Sequence, residues 1–420
     1  MYVFRPYFCL ESFPCNNLGV YMPSLATMLK VKREHVPLMY TLYFAFLTSG
    51  MMSTMIGALL PFLKEEYHMS YVLSGAVISA HQVGNFIALL VAGYLPYLIG
   101  RKRSTITLSL GIVIGFLLIT VTGNPLLLLL AFAFTGIGRG TNSNITNVVM
   151  SEISENKGAG LNLLHASFAV GAFLAPFLVL FSTTLFGVHW RISAWFLVLA
   201  ELLVLIFLSR SSLSGKPKKK EVGHQSHAFM KSGRFWLNTF ILFFYLCSEA
   251  SVIGWLVTYF IDTGRLSPSL AQTTSSALWV CILLGRLACA HLSNRMNKNV
   301  LLIILALLQF AFFTMMISVE NTALIYVSLF GFGFAMSGTY PTTLSTMDSR
   351  FTSSTIATGT CIATATVGAI SMPIIIGAVA QSVGMAGGLA TITISILLML
   401  LLILVKTFLE SKESRTSVIR

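Results

Sequence analysis

Read as apolar and polar positions, the chain is a succession of long apolar stretches separated by short polar breaks, from residue 38 almost to its end. Each stretch holds about 20 residues, enough at roughly 1.5 Å per residue to cross the hydrocarbon core of a bilayer. The stretches are continuous in Leu, Ile, Phe and Ala rather than alternating, which excludes a membrane β-barrel. Lipid offers a bare backbone no hydrogen bonds, so each stretch is predicted to be an α-helix. Twelve such helices are predicted: 38–62, 71–98, 104–121, 125–150, 159–186 and 190–209, then 235–260, 268–292, 299–318, 322–346, 354–380 and 386–408. The predicted fold class is therefore all-α and polytopic. Its organisation is an N-terminal extension (1–37), a six-helix bundle (38–209), a basic linker (210–234), a second six-helix bundle (235–410) and a tail (411–420).

Composition agrees with the pattern. Of 420 residues, 55% are hydrophobic and only 10% are charged, too few charges to cover a soluble surface of this size. The net charge of +13 would in a soluble chain raise the question of nucleic acid. Here the basic residues gather in the N-terminal arm, Arg101-Lys102-Arg103, the central segment with Lys216-Pro-Lys-Lys-Lys220, Arg295 with Lys298, and the tail. In a twelve-span chain these all fall on one side, which predicts a plasma-membrane protein with both termini cytoplasmic and no nucleic-acid partner. Opposite loops carry few positives, as at Lys64, Glu65 and Glu66, or at Glu320. The central segment reads as a charged tether, with a lipid or regulatory site as the alternative. Residues 1–37 lack an apolar core of signal-peptide length and read as a cytoplasmic extension, the alternative being a start at Met22, Met28 or Met39. Cys9, Cys15, Cys247, Cys281, Cys289 and Cys361 are scattered without clustered His, so no metal site, disulfide framework or cofactor is expected.

The two halves resemble each other. Val170-Gly171-Ala172 with Pro176 recurs as Val367-Gly368-Ala369 with Pro373, 197 positions later. The same offset aligns Gly136 with Gly333 and Arg101 with Lys298. Coincidences at one spacing argue for a duplicated six-helix unit of parallel topology. Two such bundles can rock about a shared interface and expose a central site to each side in turn.

Gly93-Tyr-Leu-Pro-Tyr-Leu-Ile-Gly100-Arg101-Lys102-Arg103, after the second span, resembles the cytoplasmic loop signature of the major facilitator superfamily. The resemblance covers roughly residues 38–410, with Pro96 standing near the usual acid and a looser copy at Gly285-Arg286-Leu287 to Ser293-Asn294-Arg295. It implies that fold and a gating role for Gly93, Gly100, Arg101 and Arg103; a monomer is expected, and with no Walker signature no ATPase is expected within the chain. Gly158-Ala-Gly-Leu-Asn162-Leu-Leu-His165 and Ser248-Glu249-Ala-Ser-Val-Ile-Gly254-Trp255 resemble the fucose-permease-like, sugar transporter-like branch. Members of that branch use acids in their first and fourth spans for proton coupling. Here the first span has none and the fourth carries Arg139.

A charge near the bilayer centre costs about 2.5–3.5 kcal/mol on insertion scales, so each needs a reason. Arg139 and Glu249 lie near mid-depth, one in each half. Arg139, Asn142, Ser143 and Thr146 are predicted to share a helical face, as are Ser248, Ser251, Trp255 and Tyr259 with Glu249 on the flank. The expected substrate-binding set is Arg139, Asn142, Glu249, Trp255, Tyr259 and Tyr340. Arg139 would orient a polar or anionic group, Glu249 would bond hydroxyls or carry a coupling proton, and the aromatic pair would supply a platform. Mutual neutralisation, or capping of neighbouring helices, is the structural alternative. His81, Gln82 and Asn85, and Asn162 with His165, have interhelical hydrogen bonding as their commoner fate. Tyr340 and Thr342 flank Pro341, and Glu201 has no account beyond neutralisation or an interhelical bond.

The glycine pairs Gly136/Gly138 and Gly331/Gly333 lie within apolar spans and mark close helix packing, not nucleotide loops. No hydrolase or nucleotide-binding signature is present, so no enzyme is expected. The expected activity is secondary active transport of a small polar solute such as a sugar, coupled to protons, with multidrug or metabolite efflux as the alternative. A membrane-bound sensor would need an effector domain that the chain does not display.

Overall fold

In a computed structural model of the protein, residues 25–185, 189–213, 227–348, 351 and 354–419 are described. The expectations for residues 1–24 and for the basic stretch 214–226 lie outside them. Among the described residues twelve long helices follow one another, and the only β pairing is an isolated bridge between Val31 and Ser154. The first six are α1 Val36–Glu66, α2 Tyr71–Ile99, α3 Arg101–Val121, α4 Pro125–Ile153, α5 Lys157–Leu180 and α6 Arg191–Arg210. The second six are α7 Gly233–Asp262, α8 Pro268–Leu292, α9 Lys298–Ser318, α10 Thr322–Ser345, α11 Thr355–Ala390 and α12 Ile392–Ile419.

Local chemistry sets the helix ends. Ser70, Asn124, Ser232, Ser267, Asn297, Asn321 and Ser354 each accept a hydrogen bond from a first-turn N–H. Those N–H groups have no partner within the helix, so the caps satisfy them. A single residue, Gly100, joins α2 to α3, and its φ of +88° is one that glycine adopts without strain. Gly384, with φ +85°, interrupts α11 where the sequence predicts a break between its last two spans.

Eleven of these helices are long and apolar enough to cross a membrane. The exception is α4, whose lower half carries Arg139, Asn142, Ser143, Asn144 and Asn147. Polarity in a span that still packs as a membrane helix marks a wall facing water or a buried network.

The repeat read from sequence is a repeat of contacts. A Cβ on Gly136 of α4 would sit 1.9 Å from the His81 carbonyl oxygen on α2, and one on Gly333 of α10 would meet Cys281 and Leu278 on α8. Likewise Gly171 of α5 presses on Leu47 of α1, and Gly368 of α11 presses on Phe243 of α7. Each glycine lets two backbones approach, the usual device for packing helices without water to drive them together. The sixth helix of each half is buttressed in a matching way. Glu201 of α6 bonds Thr48 of α1 and Asn142 of α4. Lys406 of α12 donates to Asn238 of α7 and to Thr346 at the end of α10.

Two differences from the sequence reading concern the first helix. It runs from Val36 to Glu66, longer at both ends than the predicted 38–62. Part of the expected extension is also built into the first bundle. Leu29 is buried, its carbonyl accepts from Ser154 Oγ at 3.1 Å, and Leu29 and Val31 pack with Val149, Met150 and Leu164. Apolar side chains at 29 and 31 have a hydrophobic base to cover, which outweighs the basic residues around them.

Candidate functional site

The bundles meet closely at one end and part at the other. At the end remote from Arg101 and Lys298, Lys64 Nζ lies 2.7 Å from Asp262 Oδ2, and the Tyr71 hydroxyl donates to the same oxygen at 2.8 Å. The Tyr71 N–H donates to Gln381 Oε1, Gln272 Nε2 donates to the Ala58 carbonyl, and Ser276 Oγ donates to the Phe173 carbonyl. All of these bonds cross from one bundle to the other.

Toward the basic end the bundles enclose a cavity of about 640 Å³, lined by residues of α1, α2, α4, α5, α7, α8, α10 and α11. It shares His165, Glu249, Arg286 and Tyr340 with a second space of about 830 Å³. That second space runs on past Ser293, Asn294 and Lys298 to the basic end.

Arg139 is fourteen residues from either end of α4 and lines the cavity. Its guanidinium carbon lies 5.8 Å from the centre of the Phe168 ring. Its Nε is buried without a hydrogen-bond partner. Glu249 lines the same cavity from α7, and one of its oxygens accepts from the Tyr245 hydroxyl at 2.7 Å. No ion pair of 4.0 Å or less joins Arg139 to Glu249 among the described residues, so the two charges face the cavity without a direct salt bridge. Tyr340 lines the cavity and packs against Tyr245 at 5.9 Å between ring centres. His81, Gln82 and Asn85 also face it, His81 with Nδ1 2.9 Å from Thr135 Oγ1. Asn162 and Thr342 lie farther toward the basic end, and His165 borders both spaces.

Three expected site residues lie elsewhere. Asn142 is buried away from the cavity, where its Nδ2 donates to Glu201 and its Oδ1 accepts from Ser109. The wall of α4 runs through Arg139, Ser143 and Asn147, and at about 100° per residue Asn142 lies more than a right angle from its centre. Trp255 is fully buried, with Nε1 donating to the Pro373 carbonyl at 3.3 Å. Tyr259 is also fully buried, its hydroxyl donating to the Ile317 carbonyl at 3.2 Å. The face of α7 that meets the cavity is Leu246, Glu249, Ala250 and Ile253, and the predicted aromatic face is turned into the packing. Aromatic rings on this wall include those of Phe168 and Trp279, whose centres are 5.4 Å apart across the bundle seam.

Sequence reasoning passed over Arg286. The sequence places it in the looser copy of the loop signature, yet it stands six residues inside α8 and lines both spaces. The available signal was a lone cation within an apolar run. Of the expected gating residues, Gly93 falls within α2 and Gly100 forms the turn. Arg101 pairs with both oxygens of Glu152 at the end of α4, a bond within one bundle, and Arg103 is exposed. The four described cysteines are buried and unpaired, and no group of three or more metal-ligating side chains occurs among the described residues.

A family model described as Major Facilitator Superfamily matches residues 42–366. Among curated proteins the chain is similar to bypass of stop codon protein 6 of Saccharomyces cerevisiae, 22% identical over 283 residues. The match takes in 60% of this chain and 56% of that one, so the chain spans just over half the length of this relative. Among solved structures it is similar to the nucleoside transporter NupG, with a TM-score of 0.75 at 13% identity over 88% of this chain and 99% of that one. A bacterial homologue of the human lysosomal transporter Spinster, inward-facing and occupied, gives 0.73 at 12% identity over 90% and 97%. A D-xylose–proton symporter gives 0.71 at 14% identity over 89% and 97%. At such identities the likeness is one of fold.

Proposed function

The chain belongs to the major facilitator superfamily, and from that premise we propose that it carries a small polar solute across the plasma membrane by alternating access, coupled to protons. As a member it is a multi-pass membrane transporter rather than an enzyme. The observation that carries the finer reading is the cavity between the bundles, extending to the basic end and sealed at the other by Lys64, Tyr71 and Asp262. A basic end is a cytoplasmic end by the positive-inside rule, so this is the state open to the cytoplasm, with both termini on that side.

The solute site is then the wall around Arg139, Glu249 and Tyr340, with Glu249 as the proton carrier because it is the one acid lining the cavity among the described residues. Polar side chains from both bundles favour a hydroxyl-bearing solute, a sugar or related compound, over the apolar cargo of a multidrug antiporter. The fucose-permease-like stretches and the fold shared with a D-xylose–proton symporter support the same choice. The transporter acts as a monomer, since each chain contains both bundles.

Proteoliposome accumulation of radiolabelled sugars and sugar acids, driven by a proton gradient, tests this reading. Uptake is expected in the wild type and not in Glu249→Gln. Uptake that is indifferent to the gradient, or undiminished in Glu249→Gln, removes the coupling scheme.

A further inference from the structure

The wall of the central cavity offers hydrogen-bond donors that the protein itself leaves unmatched. None of the Arg139 nitrogens makes a hydrogen bond or ion pair among the described residues, and its Nε is buried. Trp279, only 6% exposed, has an indole N–H that is buried without an acceptor, and it lines the same cavity. Arg286 lines it too, seven residues on from Trp279 along α8. Seven residues are two helical turns, so indole and guanidinium lie on one face.

Against these donors stands one carboxylate, Glu249. It is more than 4.0 Å from either guanidinium, and one of its oxygens is engaged by Tyr245. The remaining titratable side chains on the wall are the Tyr340 phenol, packed on Tyr245, His81, held at Nδ1 by Thr135, and His165, set edge-on to Phe46. With neutral imidazoles the wall carries two positive charges and one negative. A neutral sugar would leave this excess unanswered, and a cation would be repelled by it. Planar guanidinium forks match the two oxygens of a carboxylate or phosphate.

The donors also come from both halves of the molecule. Arg139 belongs to the first bundle and packs on Phe168, which meets the Trp279 ring of the second. An anion held by all three would bridge the seam that has to move.

Resting on the reading of this cavity as the solute site, we propose that the solute bears an oxyanion, a carboxylate or a phosphate. Arg139 and Arg286 clamp it from opposite bundles, and the Trp279 indole N–H donates to it. Glu249 faces the hydroxyl-bearing remainder. Trp279 is then a specificity residue, since its buried N–H rejects a neutral analogue that cannot accept from it, while the exposed Arg286 contributes charge.

The test uses purified full-length protein in detergent at constant ionic strength. Thermal unfolding is followed while chloride is replaced by inorganic phosphate in one arm and by gluconate in another. At least one oxyanion is expected to raise the transition, and which one does so separates phosphate from carboxylate. Arg139→Gln and Arg286→Gln are each expected to weaken the response about tenfold or more, while Arg33→Gln, at an exposed residue outside the cavity, leaves it intact. Arg139→Lys and Arg286→Lys keep the charge without the fork, and Trp279→Phe keeps the ring without the donor. These guard against a variant that merely fails to fold, and each is expected to give an intermediate loss. Equal stabilisation by chloride, no stabilisation by either oxyanion, or a response that survives loss of both arginines overturns the clamp. A single cysteine at Asn147, in a background without native cysteines, checks the underlying cavity. If a membrane-impermeant maleimide labels it while the anions do nothing, the cavity stands and the clamp falls. If it is never labelled, the solute-site reading falls and takes the clamp with it.

Discussion

Lys64 on the last turn of α1 and Asp262 at the end of α7 form an ion pair of 2.7 Å that ties one bundle to the other. Lys64 also lies over the Tyr71 ring, 4.4 Å from its centre, and the Tyr71 hydroxyl shares the Asp262 oxygen. The three side chains sit at the sealed end of the cavity, so the state seen here keeps these bonds and the opposite state must give them up.

Asp262→Asn should therefore shift the balance toward the outward-open state. Both side chains are partly exposed, at 23% and 15%, so solvent screening holds the pair to about 1 kcal/mol, a roughly fivefold change in population. Labelling of a cysteine at Asn147, which lines the end that then closes, should fall by up to about that factor. An unchanged labelling rate would show that the pair does not hold this end closed.

Gly75 tests the same seam through sterics. A Cβ there would lie 2.3 Å from the Pro373 carbonyl oxygen of α11, a backbone atom that cannot step aside. Gly75→Val should wedge α2 from α11, abolish net transport and protect a cysteine at Asn147 from labelling. Gly158 has nothing within 4 Å of its would-be Cβ, so Gly158→Ala is the matched control and should transport normally. Equal behaviour of the two variants would mean that the close approach is not required for the cycle.

How much was legible follows from what lipid enforces. Span length and the loop charges set the number of helices, and packing glycines at a fixed offset exposed the duplication, because those constraints act along the chain. Which side of a helix faces water is a relation between helices. Glu249 stands out because a carboxylate inside an apolar span is rare anywhere, whereas Trp255 and Tyr259 share their helix with it and point into packing. Trp255→Phe should accordingly leave the apparent affinity for solute unchanged and lower stability by about 1 kcal/mol, the worth of the bond to Pro373. Thermal unfolding beside an uptake titration measures both, and a large rise in KM would return Trp255 to the site.

Glu201 is the acid for which sequence offered no role, and its surroundings supply one. It is 1% exposed, accepts from Asn142 Nδ2 at 3.0 Å and lies 3.2 Å from Thr48 Oγ1, so it joins α6 to α4 and α1. Thr48 has a single hydroxyl proton, and the Ala45 carbonyl competes for it at 2.9 Å. In Glu201→Gln an amide satisfies every partner: its oxygen accepts from Asn142, its NH₂ donates to Thr48, and Thr48 donates to Ala45. That variant should keep its stability within about 1 kcal/mol. Glu201→Ala strands the Asn142 donor and leaves a void, a loss of about 2–4 kcal/mol. Because Asn142 is on the helix that presents Arg139, the alanine variant should also weaken binding of the oxyanion probe while the glutamine variant does not. Thermal unfolding of the pair, with and without the probe, decides it. If glutamine proves as damaging as alanine, the carboxylate matters for its charge and not for the bonds that brace these three helices.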